Sequence, residues 1–441
     1  MRIKSLTLKN YRLFGNEVQT LNFAEDKNIT VIVGNNGSGK SSILDAISCQ
    51  ISTMLSQFPG KSAKNYSEYD VHIESATRRA DFLSVESLLH MRYNGDIKVL
   101  RTRKGMGKSP ESEIKELKSY ADTIVERVNS GDNDCVLPIL AYYGTGRGQI
   151  TAPERKTGFQ QVFSRWDAYD SALDASTNFK RFFSWYDLME TEELKEMKRL
   201  GDLKYTSPIL NVVRKALLQF VGSKFSNPRI ETRPLRFAMD EKLPDGNVRE
   251  LRIEQMSDGF KIVTAMVADI ASRMAEANPG MENPLDASGI VLIDEIDLHL
   301  HVQWQRSILK KLSEVFPHIQ FIVTTHSPII LSGAVDNAQF VLLSGNCIKD
   351  LRASEYSRYD ISQLLLSNIF DLPSIHSQAI EEQLKRQEEL LAKQKLTGKE
   401  TEELNTLNDQ LSTLPLGTTL ESMKVNKMIQ EIARQMGLDN D

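Results

Sequence analysis

Apolar and polar positions change period several times along this chain of 441 residues, and those changes mark out its elements. Ile3, Leu6 and Leu8, then Val18 to Phe23, suggest a hairpin, and the unbroken run Ile29 to Val33 suggests a buried strand. A helix is expected from Lys40, with Ile43, Leu44, Ile47 and Ile51 on one face. Strand patterning returns over Val71 to Arg103, folded at Tyr93-Asn94-Gly95-Asp96, where Asn and Gly tolerate positive φ. Ser109-Pro110-Glu111 should open a charged helix reaching about Val128, and Val136 to Tyr143 reads as a further strand.

Residues 155 to 225 change character. Trp166, Tyr169, Phe179, Phe182, Phe183, Trp185, Tyr186 and Leu188 crowd one helical stretch, which Leu210, Val213, Leu217, Leu218 and Val221 continue. This stretch is expected to be a helical lobe inserted into a larger domain. Strands resume at Arg229, with a turn at Pro244-Asp245-Gly246. The tail from Tyr359 to Asp441 reads as helical. Glu381 to Lys395 is charge-rich and more simply a solvated face. Thr397 and Glu400 have capping-box spacing, as do Thr418 and Glu421. Val425, Met428, Ile429, Ile432 and Met436 form an apolar stripe, for a partner or for the protein's own core. The expected division is 1–154, 155–228, 229–355 and 356–441, with the first and third segments forming one domain.

Four segments carry candidate chemistry. Gly34-Asn35-Asn36-Gly37-Ser38-Gly39-Lys40-Ser41, followed by Ser42, fits G-x-x-x-x-G-K-[ST] between a strand and a helix. Its glycines let backbone N–H groups curl round phosphates, and the helix N-terminus adds its positive end. Lys40 supplies a charge to β/γ oxygens and Ser41 a hydroxyl to Mg²⁺. Ile290 to Ile293 is apolar and ends in Asp294-Glu295, as in a buried strand delivering acids at its C-terminal end. Asp294 would hold Mg²⁺, and Glu295 would orient or deprotonate water. Phe321 to Thr325 delivers His326, whose neutral ring could reach a γ-phosphate or that water. Met256-Ser257-Asp258-Gly259-Phe260 opens another helix, either as an ordinary N-cap or as a second anion site.

Taken in chain order, with Met256–Phe260 lying between the phosphate loop and the acidic strand, the four segments resemble an ABC-type ATPase of the SMC, RecF and OLD-like branch. The resemblance implies an α/β head: a mixed, largely parallel P-loop sheet, an antiparallel β subdomain, an inserted helical lobe and a helical C-terminal tail. It implies ATP and Mg²⁺ as ligands, and a head-to-head dimer in which Ser257 and Gly259 of one copy close on ATP held by Asn35 to Ser42 of another. It also suggests a basic residue near the nucleotide at Arg12, and a Gln serving the metal at Gln149. His299 and His301 are either helix-start residues or interface residues. The segment Tyr143-Gly144-Thr145-Gly146-Arg147-Gly148 is either a phosphate- or partner-sensing loop or a plain connection.

With the helical lobe and tail, this segment resembles the stand-alone ATPases of bacterial anti-phage systems, the PtuA-type subunits of Septu and retron-associated defence. That implies a separate HNH endonuclease partner, with DNA or RNA as further candidates in the assembled complex. A repair or chromosome-maintenance ATPase of RecF or SMC kind is the alternative, and a transporter subunit a third.

Charge and composition narrow this little further. Apolar content of 40% and charged content of 26% suit a soluble globular chain. The net charge of -5 argues against whole-chain attraction to nucleic acid, and leaves Arg101, Arg103, Lys104 and Lys108 as the best basic cluster, expected at a hairpin tip. No apolar run suits a bilayer span, and the N-terminus lacks a signal-peptide pattern, so a cytoplasmic setting without a membrane is expected. Cys49, Cys135 and Cys347 make no paired motif and are expected as free thiols.

Overall fold

The computed structural model describes residues 1–148, 163–175, 179–232, 235–333, 338–351, 356, 359–367, 369–370, 372, 377–393 and 396–411. Gln149 and the stripe Val425 to Met436 lie outside these residues, as do Thr418 and Glu421. Contacts divide the chain into Met1–Ala353 and Ser354–Asp441.

In the first unit the elements run β1 (Arg2–Lys9), β2 (Gln19–Asn22), β3 (Ile29–Gly34), α1 (Lys40–Leu55), a short pair β4 (Ile73–Ser75) and β5 (Arg78–Arg79), β6 (Phe82–Met91), β7 (Gly95–Lys104), α2 (Lys115–Asn129) and β8 (Ile139–Tyr143). Then follow α3 (Lys180–Leu200), α4 (Pro208–Val221), β9 (Phe225–Thr232), β10 (Leu235–Lys242), β11 (Val248–Arg252), α5 (Asp258–Ala277), β12 (Gly289–Ile293), α6 (Val302–Val315), β13 (Ile319–Thr325), α7 (Pro328–Gly333), β14 (Ala338–Ser344) and β15 (Cys347–Leu351).

Among the described residues, β15-β14-β3-β13-β12-β8 form one six-stranded sheet. Its strands are parallel except β15, which runs antiparallel to β14. The residues of β3, β8, β12 and β13 are buried throughout, the mark of a parallel sheet covered on both faces. A second sheet, β2-β1-β6-β7, is antiparallel, and the alternating burial along β6 shows one face turned inward. A third, β11-β10-β9, is antiparallel and turns at Gly246, φ 85°. This is the α/β P-loop architecture with an antiparallel subdomain.

Helix α1 is buried along almost its whole length. Gln50, midway along it, donates to the Val85 carbonyl of β6. Gln320 of β13 ties the two sheets together. Its amide accepts from Ile3 N–H at 2.8 Å and donates to the Ile3 carbonyl at 3.0 Å, inside the protein. One side chain thus satisfies both backbone groups of a residue in the other sheet.

Helices α3 and α4 pack on α5 and bury Phe182, Phe183, Trp185, Tyr186, Leu210, Val213, Leu217 and Phe220. Trp166 and Tyr169 precede α3 in a 3₁₀ turn, where both rings pack on Phe58. The tip of the β6–β7 hairpin falls at Gly95, φ 72°, so the cluster expected there lies at the opposite end of β7. Within it, Arg101 is buried and donates to the Cys49 and Lys64 carbonyls, while Arg103, Lys104 and Lys108 are exposed. Cys49, Cys135 and Cys347 are free thiols.

In the second unit α8 (Ile361–Leu366) precedes α9 (Gln378–Leu391) and α10 (Gly398–Leu411), and the last two pack together over Leu390 and Leu407. The charged face of α9 is partly engaged: Arg386 pairs with Glu403, and Gln387 donates to Asn408. Thr397 and Glu400 form the expected reciprocal cap. Among the described residues no helix is long and apolar enough to cross a membrane.

Gln320→Ala leaves the N–H and carbonyl of Ile3 buried and unpaired. We expect a loss of about 2–4 kcal/mol, read as a lower urea midpoint for the first unit at unchanged slope. Loss under about 0.5 kcal/mol would mean that water or a shifted strand replaces the contact.

Candidate functional site

Strands β3, β12 and β13 are adjacent and parallel, so their C-terminal ends meet at one edge of the sheet. The first leads into the 34–41 loop, the second ends before Asp294 and Glu295, and the third ends in Thr324 and Thr325 before His326. Close approach sets the loop's shape. A Cβ on Gly34 would lie 2.6 Å from the Leu343 carbonyl oxygen, so the loop passes against β14. Gly39 takes a left-handed φ of 97°, packs on Phe14 and starts α1 without a side-chain cap. The first turn of α1 also holds no acid, so its positive end stays open to an anion. Asn35, Asn36 and Gly37 are exposed. The Ser38 hydroxyl is buried and has no hydrogen-bond partner.

Lys40 is 6% exposed and folds back to donate to the Gly34 carbonyl at 2.8 Å and the Asn35 carbonyl at 3.0 Å. Burial lowers its ammonium from the ordinary range, against the pull of Asp294, Glu295 and Asp297. Ser41 Oγ donates to Asp294 Oδ2 at 2.7 Å. Thr324 Oγ1 donates to Asp294 Oδ1 at 2.5 Å and accepts the Glu295 N–H at 2.7 Å. Both oxygens of a carboxylate that is 6% exposed are therefore engaged. Glu295 is partly buried and left-handed, φ 48°. The His326 ring is partly buried. Burial first, and Lys40 second, push it below its ordinary value of 6.5, which favours the neutral form at pH 7.

Ser41 and Asp294 could hold Mg²⁺ together. Among the described residues no group of three or more His, Cys, Asp or Glu could hold a metal by itself. One hydroxyl and one carboxylate, completed by phosphate and water, is the set Mg²⁺ favours. The chemistry of the donors, the orphaned Ser38 hydroxyl and the open helix end all suit a metal-bound phosphate chain.

Arg12 lies beside α1, left-handed at φ 51°. It pairs with Asp45 at 2.6 Å and Asp70 at 2.8 Å, and approaches Ser42 Oγ at 3.4 Å. Ser257 stands at the N-cap of α5, exposed, with its hydroxyl making no cap bond. Gly259 is buried: a Cβ there would lie 2.2 Å from the His299 carbonyl oxygen. His301 caps α6 by accepting the Gln303 N–H, as a helix-start residue does. His299 is exposed and left-handed, φ 60°.

Two residues at the site had no role of their own assigned from the sequence. Thr324 looked like strand filler, yet it joins Asp294 to the Glu295 backbone. Arg147, in the loop after β8, is 2% exposed and donates to three carbonyls: Gly144 at 2.9 Å, Asp294 at 2.5 Å and Glu295 at 2.6 Å. Burial pulls its guanidinium down to about 10 despite the nearby acids. Within the 143–148 segment, Arg147 is thus bonded internally to the end of the acidic strand.

Family models described as "AAA domain" and "AAA domain, putative AbiEii toxin, Type IV TA system" match residues 5–211 and 208–332. Retron Vc95 probable ATPase of Vibrio cholerae serotype O1 biovar El Tor is 28% identical over 92% of this chain and 86% of its own length. Retron Ec83 probable ATPase of Escherichia coli is 29% identical over 84% and 76%. The chain is a homologue of retron probable ATPases, with AAA-domain matches over both the phosphate loop and the acidic strand. Septu protein PtuA of Bacillus mycoides (strain KBAB4) is 33% identical over 43% of this chain and 26% of that protein. Among solved structures, the SmcHead bound to the C-winged helix domain of ScpA matches 80% of the chain and 97% of its own at 18% identity and TM-score 0.47. The SMC head domain from Thermotoga maritima matches 80% and 98% at 18% identity and TM-score 0.41. The α/β P-loop fold rests on the strand order and the loop geometry.

The lowered His326 value can be read directly. Its ring resonances should titrate below pH 6.5, and Lys40→Ala, by removing a nearby positive charge, should shift that midpoint upward. An unmoved midpoint in Lys40→Ala would show that burial alone sets it.

Proposed function

We propose that this ATPase homologue binds ATP with Mg²⁺ at the Lys40–Asp294 edge, hydrolyses it, and closes as a head-to-head dimer. We propose further that this closure controls a separate HNH-type nuclease in anti-phage defence, in the bacterial cytoplasm. The observation that carries the nucleotide reading is the Ser41–Asp294–Thr324 chain of hydrogen bonds beside Lys40. It joins the phosphate loop to the acidic strand through the atoms that would share a divalent cation.

The chain's own residues divide the work. Lys40 would leave the Gly34 and Asn35 carbonyls for the β/γ oxygens, and Ser38 would give its unpaired hydroxyl to a phosphate oxygen. Asn35, Asn36, Gly37 and Gly39 would offer backbone N–H groups, with Ser42 extending the helix end and Arg12 supporting it through Asp45. Ser41 and Asp294 would hold Mg²⁺, and Gln149 is a further candidate. The ion, when bound, neutralises charge across the β- and γ-oxygens. Glu295 would orient water or take its proton, and neutral His326 would hydrogen-bond the γ-phosphate. Ser257 has a hydroxyl free for nucleotide on a second copy, and Gly259 brings the α5 terminus close to that ligand. The defence setting draws support from the retron and Septu relatives. Control of a nuclease, with DNA or RNA in the complex, follows from the sequence resemblance.

Nucleotide binding and phosphate release test the enzyme. Lys40→Ala should weaken ATP binding by at least about tenfold, while Glu295→Gln should keep binding and lose about 10²-fold or more in turnover. Equal turnover in Glu295→Gln and the parent would remove Glu295 from the mechanism. Assembly is tested separately by sedimentation. Glu295→Gln with ATP should dimerise, and adding Ser257→Arg should leave it monomeric with an unchanged melting temperature. A dimer that survives Ser257→Arg would exclude the head-to-head arrangement. Co-expression with a neighbouring HNH protein should yield a complex whose cutting changes when Lys40 is replaced.

A further inference from the structure

We propose that Arg147 is a positioning residue for Glu295, one side of a backbone clamp whose other side is Thr324. The functional part of this proposal rests on the reading that Glu295 serves the attacking water. Glu295 holds a left-handed φ of 48°, which a non-glycine residue keeps only when its surroundings impose it. Two elements impose it from opposite sides. Thr324 Oγ1, on β13, takes the Glu295 N–H at 2.7 Å. Arg147 Nη2, in the loop after β8, holds the Glu295 carbonyl at 2.6 Å, and its Nη1 holds the Asp294 carbonyl at 2.5 Å.

The flanking groups are fixed as well. Asp294 N–H donates to the Tyr143 carbonyl at 2.8 Å, and Ile296 N–H to the Thr324 carbonyl at 2.9 Å. The direction in which the Glu295 side chain leaves the backbone is thereby set by β8, its loop and β13 together.

The chemistry requires Arg in particular. A planar fork reaches two successive carbonyls at once, where an ammonium offers a single point of charge. The charge is also spent in an unusual way. Among the described residues the hydrogen bonds of this buried guanidinium go to carbonyls, and none goes to a carboxylate. Burying a cation is costly, and a helix or a bound water would satisfy carbonyls without it. Its placement directly behind Asp294 and Glu295 puts a fixed positive charge where two acids must stay close together.

The test combines turnover, nucleotide affinity and amide hydrogen exchange in the full chain. Arg147→Met should keep ATP affinity within about threefold and lose about tenfold to a hundredfold in kcat, as expected for a misplaced catalytic group. Arg147→Lys should recover part of that loss. In a Glu295→Gln background, Arg147→Met should cost no more than about twofold further, because it acts through Glu295. Exchange across residues 290–300 should accelerate in Arg147→Met and in Thr324→Val, and return to the parental rate in Thr324→Ser.

Unchanged exchange across 290–300 in folded Arg147→Met would overturn the clamp. Losses that multiply with Glu295→Gln would overturn the positioning role, as would failure of both Arg147 variants to fold, which would leave Arg147 a purely structural residue. If the parent itself releases no phosphate, the hydrolysis reading fails alone, and the exchange result still decides the clamp.

Discussion

The site depends on how one buried carboxylate is satisfied. Asp294 is carried to the end of a fully buried strand, where an unpaired charge would be expensive. Its oxygens take hydrogen bonds from Ser41 and Thr324, which lie on the two neighbouring chain segments. That requirement fixes the relative height of the phosphate loop, the acidic strand and the next strand over. A parallel sheet with β3, β13 and β12 side by side delivers all three groups at one level. A slip of one residue in β12 would turn Asp294 to the other face and leave both hydroxyls without it.

The second constraint is on α1. Its N-terminus must stay free of caps and acids to receive an anion, so the helix gains little stability at that end. Burial along its length compensates. The core sheet lies on one side and the antiparallel sheet on the other, with Gln50 and Arg101 bonding across to strand and helix carbonyls. The antiparallel subdomain thus acts on the nucleotide site mechanically, by holding the helix whose first turn would contact phosphate. Gln320 extends the same logic to β1, since its bonds to Ile3 lock the two sheets in register.

Much of this was legible in the sequence because P-loop chemistry needs particular residue types in contiguous runs. The 34–41 loop, the apolar strand before Asp294 and Glu295, and the strand before His326 each announce themselves locally. Their meeting across some 250 residues then follows from parallel-sheet topology. What stayed hidden depended on neighbours distant in the chain. Arg147 looks like any basic residue in a glycine-rich loop until β8 is seen beside β12. Arg101 appeared as surface charge because its partners, the carbonyls of Cys49 and Lys64 and the Asn65 amide oxygen, lie 36 to 52 residues away and carry no opposite charge to mark the pairing. The start of α2 shows the same limit. Ser109 and Pro110 mark an apt helix opening, yet Glu113 exchanges both backbone bonds with Leu100 of β7, and the helix begins only at Lys115. Sheet pairing outweighed the local signal.

Gly259 answers to the chain's own packing as well as to the ligand proposed for it. A glycine in this position invites the view that it exists for a nucleotide on another copy. Here the His299 carbonyl already forbids a Cβ, so the chain's own packing accounts for the glycine. Gly259→Ala would therefore disturb the Ile296–His301 segment next to Glu295 in the same molecule, and a resulting loss of activity would say nothing about assembly. Ser257 differs. It is exposed, makes no cap bond and has no packing reason to be serine. Capping preference alone would predict a hydroxyl turned onto the helix N-terminus, and here the hydroxyl is left free. Ser377 at the N-cap of α9 is likewise uncapped, so what sets Ser257 apart is its place at the head of α5, where Gly259 lies against the His299 carbonyl, a short step along the chain from Glu295.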